Sequence, residues 1–312
     1  MDTHKQSNPR FLKALFTGWK VFRRKRIPRR RLRAGLACMF LAVLAHAQPA
    51  RIVTTFPSVT ETVFALGAGD RVVGVSIYCK YPPAVLSLPK IGTYMKPDLE
   101  KIALLRPDLV IIQNSAASLA ERLSALGIHH AEVKLGSLAD IYSMISEVGR
   151  AIGLSERAEK LNSDIQLSLN KSRAETAGKP RPTVLIIIGR TPGLLTNLIA
   201  VGPGAYLGEL LDFAGGTNIL TEMPMAYPHI SLETVIRLNP DVILDLSMMG
   251  RSADLAAIEA QLREPWLTHQ ELAAVRNQQV FGLVSEPLVT PGPRVVDAVQ
   301  LLRSRIHQRD HQ

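Results

Sequence analysis

The chain has 312 residues, 46% of them hydrophobic and 5% aromatic, which is ordinary for globular material and long enough for two cores. Its net charge of +10 invites a nucleic-acid partner only until the charges are located. Residues 1–47 hold 12 of the 37 Lys and Arg but only Asp2 among the 27 acidic residues, so the remainder carries 25 basic against 26 acidic side chains and no cationic surface is left to explain.

The first 47 residues have the layout of a secretory signal: a cationic stretch from Arg23 to Arg33, an apolar stretch Ala34–Ala45, and Ala45-His46-Ala47 as a cleavage site before Gln48. Twelve apolar residues are too few for a spanning helix, which needs about 20. The expected fate is therefore export, with the signal removed near Ala47. Cys38 leaves with it, so Cys79 is the one cysteine of the mature chain and no intrachain disulfide can form. Cys79 reads as a small buried hydrophobe.

After Pro49, Arg51–Thr55 reads as a strand, Ser58–Leu66 as a helix ended by Gly67, and Arg71–Val75 as a second strand, together a βαβ unit. Asp98-Leu99-Glu100 through Arg106-Pro107-Asp108 then predicts a short helix capped by Asp98, followed by a strand from Leu109 to Ile112. A helix follows over Ala116–Leu126, and the adjacent His129 and His130 read as a solvated pair on a turn. Ser137–Gly178 is rich in helix formers and broken only at Gly153. Its second part, capped by Ser155 and running to about Thr176, places Ala158, Leu161, Ile165 and Leu169 on one face of a helix about 35 Å long, able to bridge two lobes. Val184–Ile188 reopens a buried strand, Ala205–Phe213 is a helix, and Gly202-Pro203-Gly204 reads as a simple loop.

The pattern of residues 98–111 returns 133 positions later. Ser231-Leu232-Glu233 through Asn239-Pro240-Asp241-Val242 repeats the Leu, Glu, Leu, Pro and Asp in the same slots. A period this long suits a duplicated α/β domain with a cleft between its halves. The expected architecture is α/β: two like lobes with parallel sheets over 50–154 and 180–312, joined by a connecting helix at 155–177.

No G-x-S-x-G, H-E-x-x-H, C-x-x-C or Walker-type loop is present. Tyrosine and proline instead follow the predicted strand ends, where open α/β sheets bind ligands: Tyr78, Tyr81-Pro82-Pro83, Tyr94 and Tyr227. Tyr94 stands six residues before Glu100, and Tyr227 six before Glu233, so two rings face one another by pseudo-symmetry. They either cap the cores or grip a large planar ligand. Glu100 and Glu233 lie in the first turns of their helices, where the helix dipole alone explains them; as a pair they present two acidic knobs to a symmetric partner.

The segments Arg51–Glu61, Gly74–Pro83, Gly92-Thr93-Tyr94 and Leu99–Val110 resemble the hallmark segments of the periplasmic binding proteins of ABC importers for vitamin B12, ferric siderophores and haem. The resemblance extends over residues 50 to 305. It implies two Rossmann-like lobes on a rigid helix with limited hinge motion, a monomeric periplasmic receptor without catalytic residues or a resident cofactor or metal, and docking of Glu100 and Glu233 onto a permease dimer that works with ATPase subunits.

Within the family, the Tyr78-to-Pro83 segment looks most like the members that bind B12. By that likeness Tyr78, Tyr94, Tyr227 and Glu286 surround a corrinoid, and the polar Ser285-Glu286 can hydrogen-bond its amide side chains. Tyr94 and Tyr227 stand where a B12-binding member has tryptophans, and Thr290 where it has an arginine. A siderophore or haem is therefore the alternative guest, since tyrosine also ligates haem iron. A secreted two-lobed enzyme using Glu286 and His229 as an acid/base pair is the reading from another class, and metal-ion binding is a third.

Overall fold

The computed structural model describes residues 48–114, 117–223, 225–246 and 254–308. The signal segment, Cys38 and the first predicted residue of the 116–126 helix lie outside the described residues.

Along the first half run β1 (Ile52–Thr54), α1 (Pro57–Ala65), β2 (Val72–Val75), α2 (Leu99–Leu104), β3 (Leu109–Gln113), α3 (Ala117–Ala125) and β4 (His130–Val133). The four strands form one sheet in the order β2-β1-β3-β4, every pair parallel. Then come α4 (Leu138–Ala151) and α5 (Ser155–Glu175). Ser137 caps α4 through a reciprocal box with Asp140.

The second half continues with β5 (Thr183–Gly189), β6 (Leu198–Ala200), α6 (Tyr206–Phe213), β7 (Thr217–Asn218), β8 (His229–Ile230), α7 (Leu232–Leu238), β9 (Val242–Asp245), α8 (Leu255–Arg263), α9 (Ala273–Arg276), β10 (Val280–Gly282), α10 (Glu286–Val289) and α11 (Val295–Ile306). Its sheet runs β10-β9-β5-β6-β8, with β7 also pairing with β5.

Three corrections to the sequence reading follow. The second sheet is mixed, because β6 pairs antiparallel with both β5 and β8. Ser155 is the first helical residue of α5 rather than its cap; Leu154 takes that place with no side-chain hydrogen bond, and the helix ends at Glu175. His130 is no turn residue but opens the edge strand β4.

The repeat is reproduced in detail. Asp98 and Ser231 cap α2 and α7 by accepting the backbone N–H of Lys101 and Thr234. Arg106 and Asn239, each just before the proline, both adopt left-handed backbone, at φ 45° and 49°. The following aspartates tie the sheets together. Asp108 accepts the N–H groups of Ala50 and Arg51 ahead of β1, each at 2.9 Å, while Asp241 accepts the N–H and hydroxyl of Thr183 at the start of β5 at 2.8 and 2.7 Å.

Strand residues alternate between two faces, and the alternation decides the packing. Ile52, Leu109 and Ile111 of the first sheet, and Val184, Ile186, Val242 and Leu244 of the second, enter one and the same core. Their neighbours enter separate outer cores: Val53, Val110 and Ile112 on one side, Leu185, Ile187 and Ile243 on the other. The common core is filled from α4 (Ile141, Met144, Ile145), α5 (Ala158, Ile165, Leu169), α6 (Leu207, Leu211) and α11 (Val299, Leu302). The predicted apolar face of α5 is thus the buried one, with Leu161 half-buried at its margin.

A core shared by both sheets should unfold as one. Leu169→Ala, at a position 1% exposed, should cost about 2–5 kcal/mol while keeping a single denaturation transition. Two separated transitions in the native chain would contradict a common core.

Candidate functional site

The loops at the carboxyl ends of the first sheet carry a three-ring platform. Phe56 leaves β1, Tyr78 follows β2, and Tyr94 sits on a turn closed by the bridge between Gly92 and Pro97 and by the Thr93 hydroxyl, which accepts the Lys96 N–H. The Tyr94 ring lies between the other two, 4.7 Å from the Phe56 centroid and 5.4 Å from that of Tyr78, both tilted. Tilted pairs at these separations are favourable by about 0.5–1.5 kcal/mol beyond area burial. The platform therefore has a defined shape before any ligand arrives. The Cys79 thiol, next to Tyr78 in the chain, is buried between the hydroxyls of Thr60 and Ser76, at 3.1 and 3.2 Å, which accords with a structural cysteine.

On the second-sheet side, Tyr227 lies in the approach to β8. The Gly202 N–H bonds the Ala226 carbonyl at 2.8 Å, and a Cβ on Gly202 would fall 1.9 Å from the Met225 carbonyl oxygen, so only glycine lets the two chain segments approach this closely. Burial pushes the Tyr227 phenol above its ordinary pKa, and its neighbour Tyr206 is pushed further in the same direction by deeper burial. Both rings are neutral phenols. Tyr206 donates its hydroxyl to the Leu288 carbonyl, fastening α10 beside Tyr227.

Glu286, the first residue of α10, is exposed, and its charged neighbour is Arg294 at 3.6 Å rather than a histidine. Arg294 grips Glu61 of α1 with two parallel hydrogen bonds, Nε to Oε2 at 2.9 Å and Nη2 to Oε1 at 2.5 Å. Its guanidinium also stacks on the Tyr81 ring, 4.1 Å from the centroid. Glu61 is buried, and desolvation pushes its carboxyl up despite the arginine. The loop holding Tyr78 and Tyr81 thereby meets the turn after α10.

Of the predicted residues, Tyr78 and Tyr94 stack together, and Tyr227 and Glu286 are linked through Tyr206 and α10. Glu100 and Glu233 are exposed in the first turns of α2 and α7, directly after the aromatic loops, and neither forms an ion pair among the described residues. Thr290 is buried. Among the described residues no cluster of three or more His, Cys, Asp or Glu could hold a metal ion, and no helix is long and apolar enough to cross a membrane.

Sequence reasoning missed Phe56, Tyr206, Glu61 and Arg294. The signal for Glu61 was present: a lone carboxylate within the buried stretch Val59–Val63 requires a partner from elsewhere in the chain.

These loops also expose apolar side chains that a free surface would not favour, notably Met95 at 81% and Met225 at 62%, beside the 38–47% of Tyr78, Tyr94 and Tyr227.

Comparison with known proteins gives a consistent result. A family model described as periplasmic binding protein matches residues 52–287. The vitamin B12-binding protein of Vibrio cholerae is 30% identical over 273 residues, covering 85% of this chain and 94% of that protein. Among solved structures, the periplasmic vitamin B12 binding protein BtuF of Vibrio cholerae superposes with a TM-score of 0.68 at 27% identity, covering 85% of this chain and 99% of that one. The periplasmic heme-binding protein RhuT from Roseiflexus does so at 0.69 and 27%, covering 83% and 98%.

Gly202→Ala should displace the Met225–Tyr227 segment and destabilise the chain by about 1–3 kcal/mol. Chemical denaturation, with faster hydrogen exchange at residues 225–230, checks this; native-like stability and exchange would contradict the assigned packing.

Proposed function

The chain belongs to the periplasmic binding protein family, and on that premise we propose that it captures a cobalamin-like corrinoid between two lobes and delivers it to an ABC permease. Members of this family are substrate-binding proteins, and the relatives just described bind vitamin B12 or haem.

The observation that carries the reading is the preformed Phe56–Tyr94–Tyr78 platform on one set of loops, with half-exposed Tyr227 on the other. Stacked rings offer rigid area to a large flat guest without paying much in lost side-chain freedom. A corrinoid is favoured over haem on two grounds. Burial holds the Tyr227 phenol above its ordinary range, which adds to the cost of forming the phenolate that would bind iron. The arginine beside the site is no free partner for haem carboxylates, since Arg294 is already engaged by Glu61 and Glu286; exposed Lys80 and Lys96 remain on the site loops. Exposed Glu286 is instead an acceptor suited to the amide side chains of a corrin.

Titration of the purified mature protein with cyanocobalamin, haemin and a ferric siderophore, followed by absorbance and intrinsic fluorescence, tests this. Saturable, unreactive binding of cyanocobalamin is expected. Tighter binding of haemin or a siderophore would replace the guest, and turnover of a bound substrate would favour the enzyme reading.

Glu100 and Glu233 are proposed as the permease contacts, supported by their equivalent exposed places on α2 and α7. Exposed ion pairs contribute only about 0.2–1 kcal/mol each, so docking through them is weak, salt-sensitive and reversible. The double variant Glu100→Ala with Glu233→Ala should abolish chelate uptake in reconstituted vesicles and leave ligand affinity unchanged. A loss of affinity would refute the docking role.

A further inference from the structure

Arg294 meets groups from both sets of site loops. Its fork is filled by Glu61 from α1, its face by the Tyr81 ring three residues beyond Tyr78, and the Nη2 that bonds Glu61 also stands 3.6 Å from Glu286. The turn that carries it is seated on the first-sheet side, because a Cβ on Gly292 would lie only 3.3 Å from the Ser58 Cα and Cβ. Asp297, one helical turn further on, adds a second carboxylate near Glu61.

The three contacts differ in kind. Glu61 is 3% exposed in its side chain and bound bidentately, an anchor that fixes the guanidinium plane. Tyr81 stacks on that plane, so the direction of its loop follows the plane. Glu286 is 45% exposed and beyond hydrogen-bond distance, so Arg294 attracts it without consuming its acceptors. A lysine could satisfy the charge but neither the fork nor the stack.

We propose that Arg294 is the positioning residue of the ligand site: anchored on Glu61, it sets the register of the Tyr78–Tyr81 loop against Glu286, so that both polar and aromatic contacts reach one bound chelate. This rests on the functional reading above and deepens it. Arg294 acts through Glu286 and Tyr81 and needs no contact with the guest.

The test is a double-mutant cycle with cyanocobalamin as the probe, together with hydrogen exchange on the ligand-free chain. Arg294→Met should weaken binding about tenfold or more, and Arg294→Lys, the variant least disturbing to folding, should fall between it and the native chain. Glu286→Gln should weaken binding in the native background but add little on top of Arg294→Met, because the acceptor is then already misplaced. Without ligand, both Arg294 variants should exchange faster at residues 76–83 and 285–290. Native-like affinity in the Arg294 variants, or losses that simply add, would overturn the positioning role. Should the native chain bind neither cyanocobalamin nor haemin nor a siderophore, the functional reading fails, and the exchange data decide separately: native-like protection of both loops in the variants overturns the inference, and faster exchange of both upholds the register it assigns.

Discussion

Both sheets turn one face onto the same apolar core, and everything at the site depends on that sharing. Alternation along β1, β3, β5 and β9 sends every second residue inward, where α4, α5, α6 and α11 fill the space, and the rest outward to two smaller cores. With one core there is no greasy seam along which the halves can slide. Close-packed interiors respond to strain by shifting between discrete arrangements, not by yielding gradually. The loops at the strand ends, which carry Tyr78, Tyr94 and Tyr227, consequently inherit fixed positions, as the proposed capture of one guest requires.

On this frame polar contacts between distant parts of the chain set the finer geometry. The Glu61–Arg294 pair joins residues 233 apart, Tyr206 ties α6 to the Leu288 carbonyl 82 positions on, and the Tyr206 N–H bonds the Gly136 carbonyl just before α4. A buried ion pair is not in itself a strong source of stability, since desolvation offsets much of the attraction. Its value here is directional. Glu61 is satisfied only if the turn at 290–294 lies against α1, and that same turn governs where α10 and Glu286 stand.

How much of this was legible beforehand follows from the range of each interaction. The repeat announced itself because it is local and chemically strict: a cap, a left-handed residue before proline, and an aspartate that ties down the start of the neighbouring strand. Long apolar runs such as Val184–Ile188 and the face of α5 were equally plain, as burial on this scale leaves a periodic trace. The antiparallel strands β6 and β8 left none, being three and two residues long. Within the site, the tyrosines could be read as residues at strand ends, but their packing could not. That Tyr94 stacks on Phe56, or that Gly202 must be glycine because the Met225 carbonyl lies against it, depends on partners brought together only by the fold.

The aromatic platform and the exposed methionines beside it support the proposal of a large, flat guest. A crystal structure of the mature chain saturated with cyanocobalamin tests this most directly. The account predicts the corrin ring between Tyr94 and Tyr227, in contact with Glu286, and the spacing of the two sheets unchanged from the free chain. A corrin ring seated elsewhere, for instance in the groove lined by Leu194, Leu232 and Pro265, or one enclosed only after the sheets swing together, would contradict it.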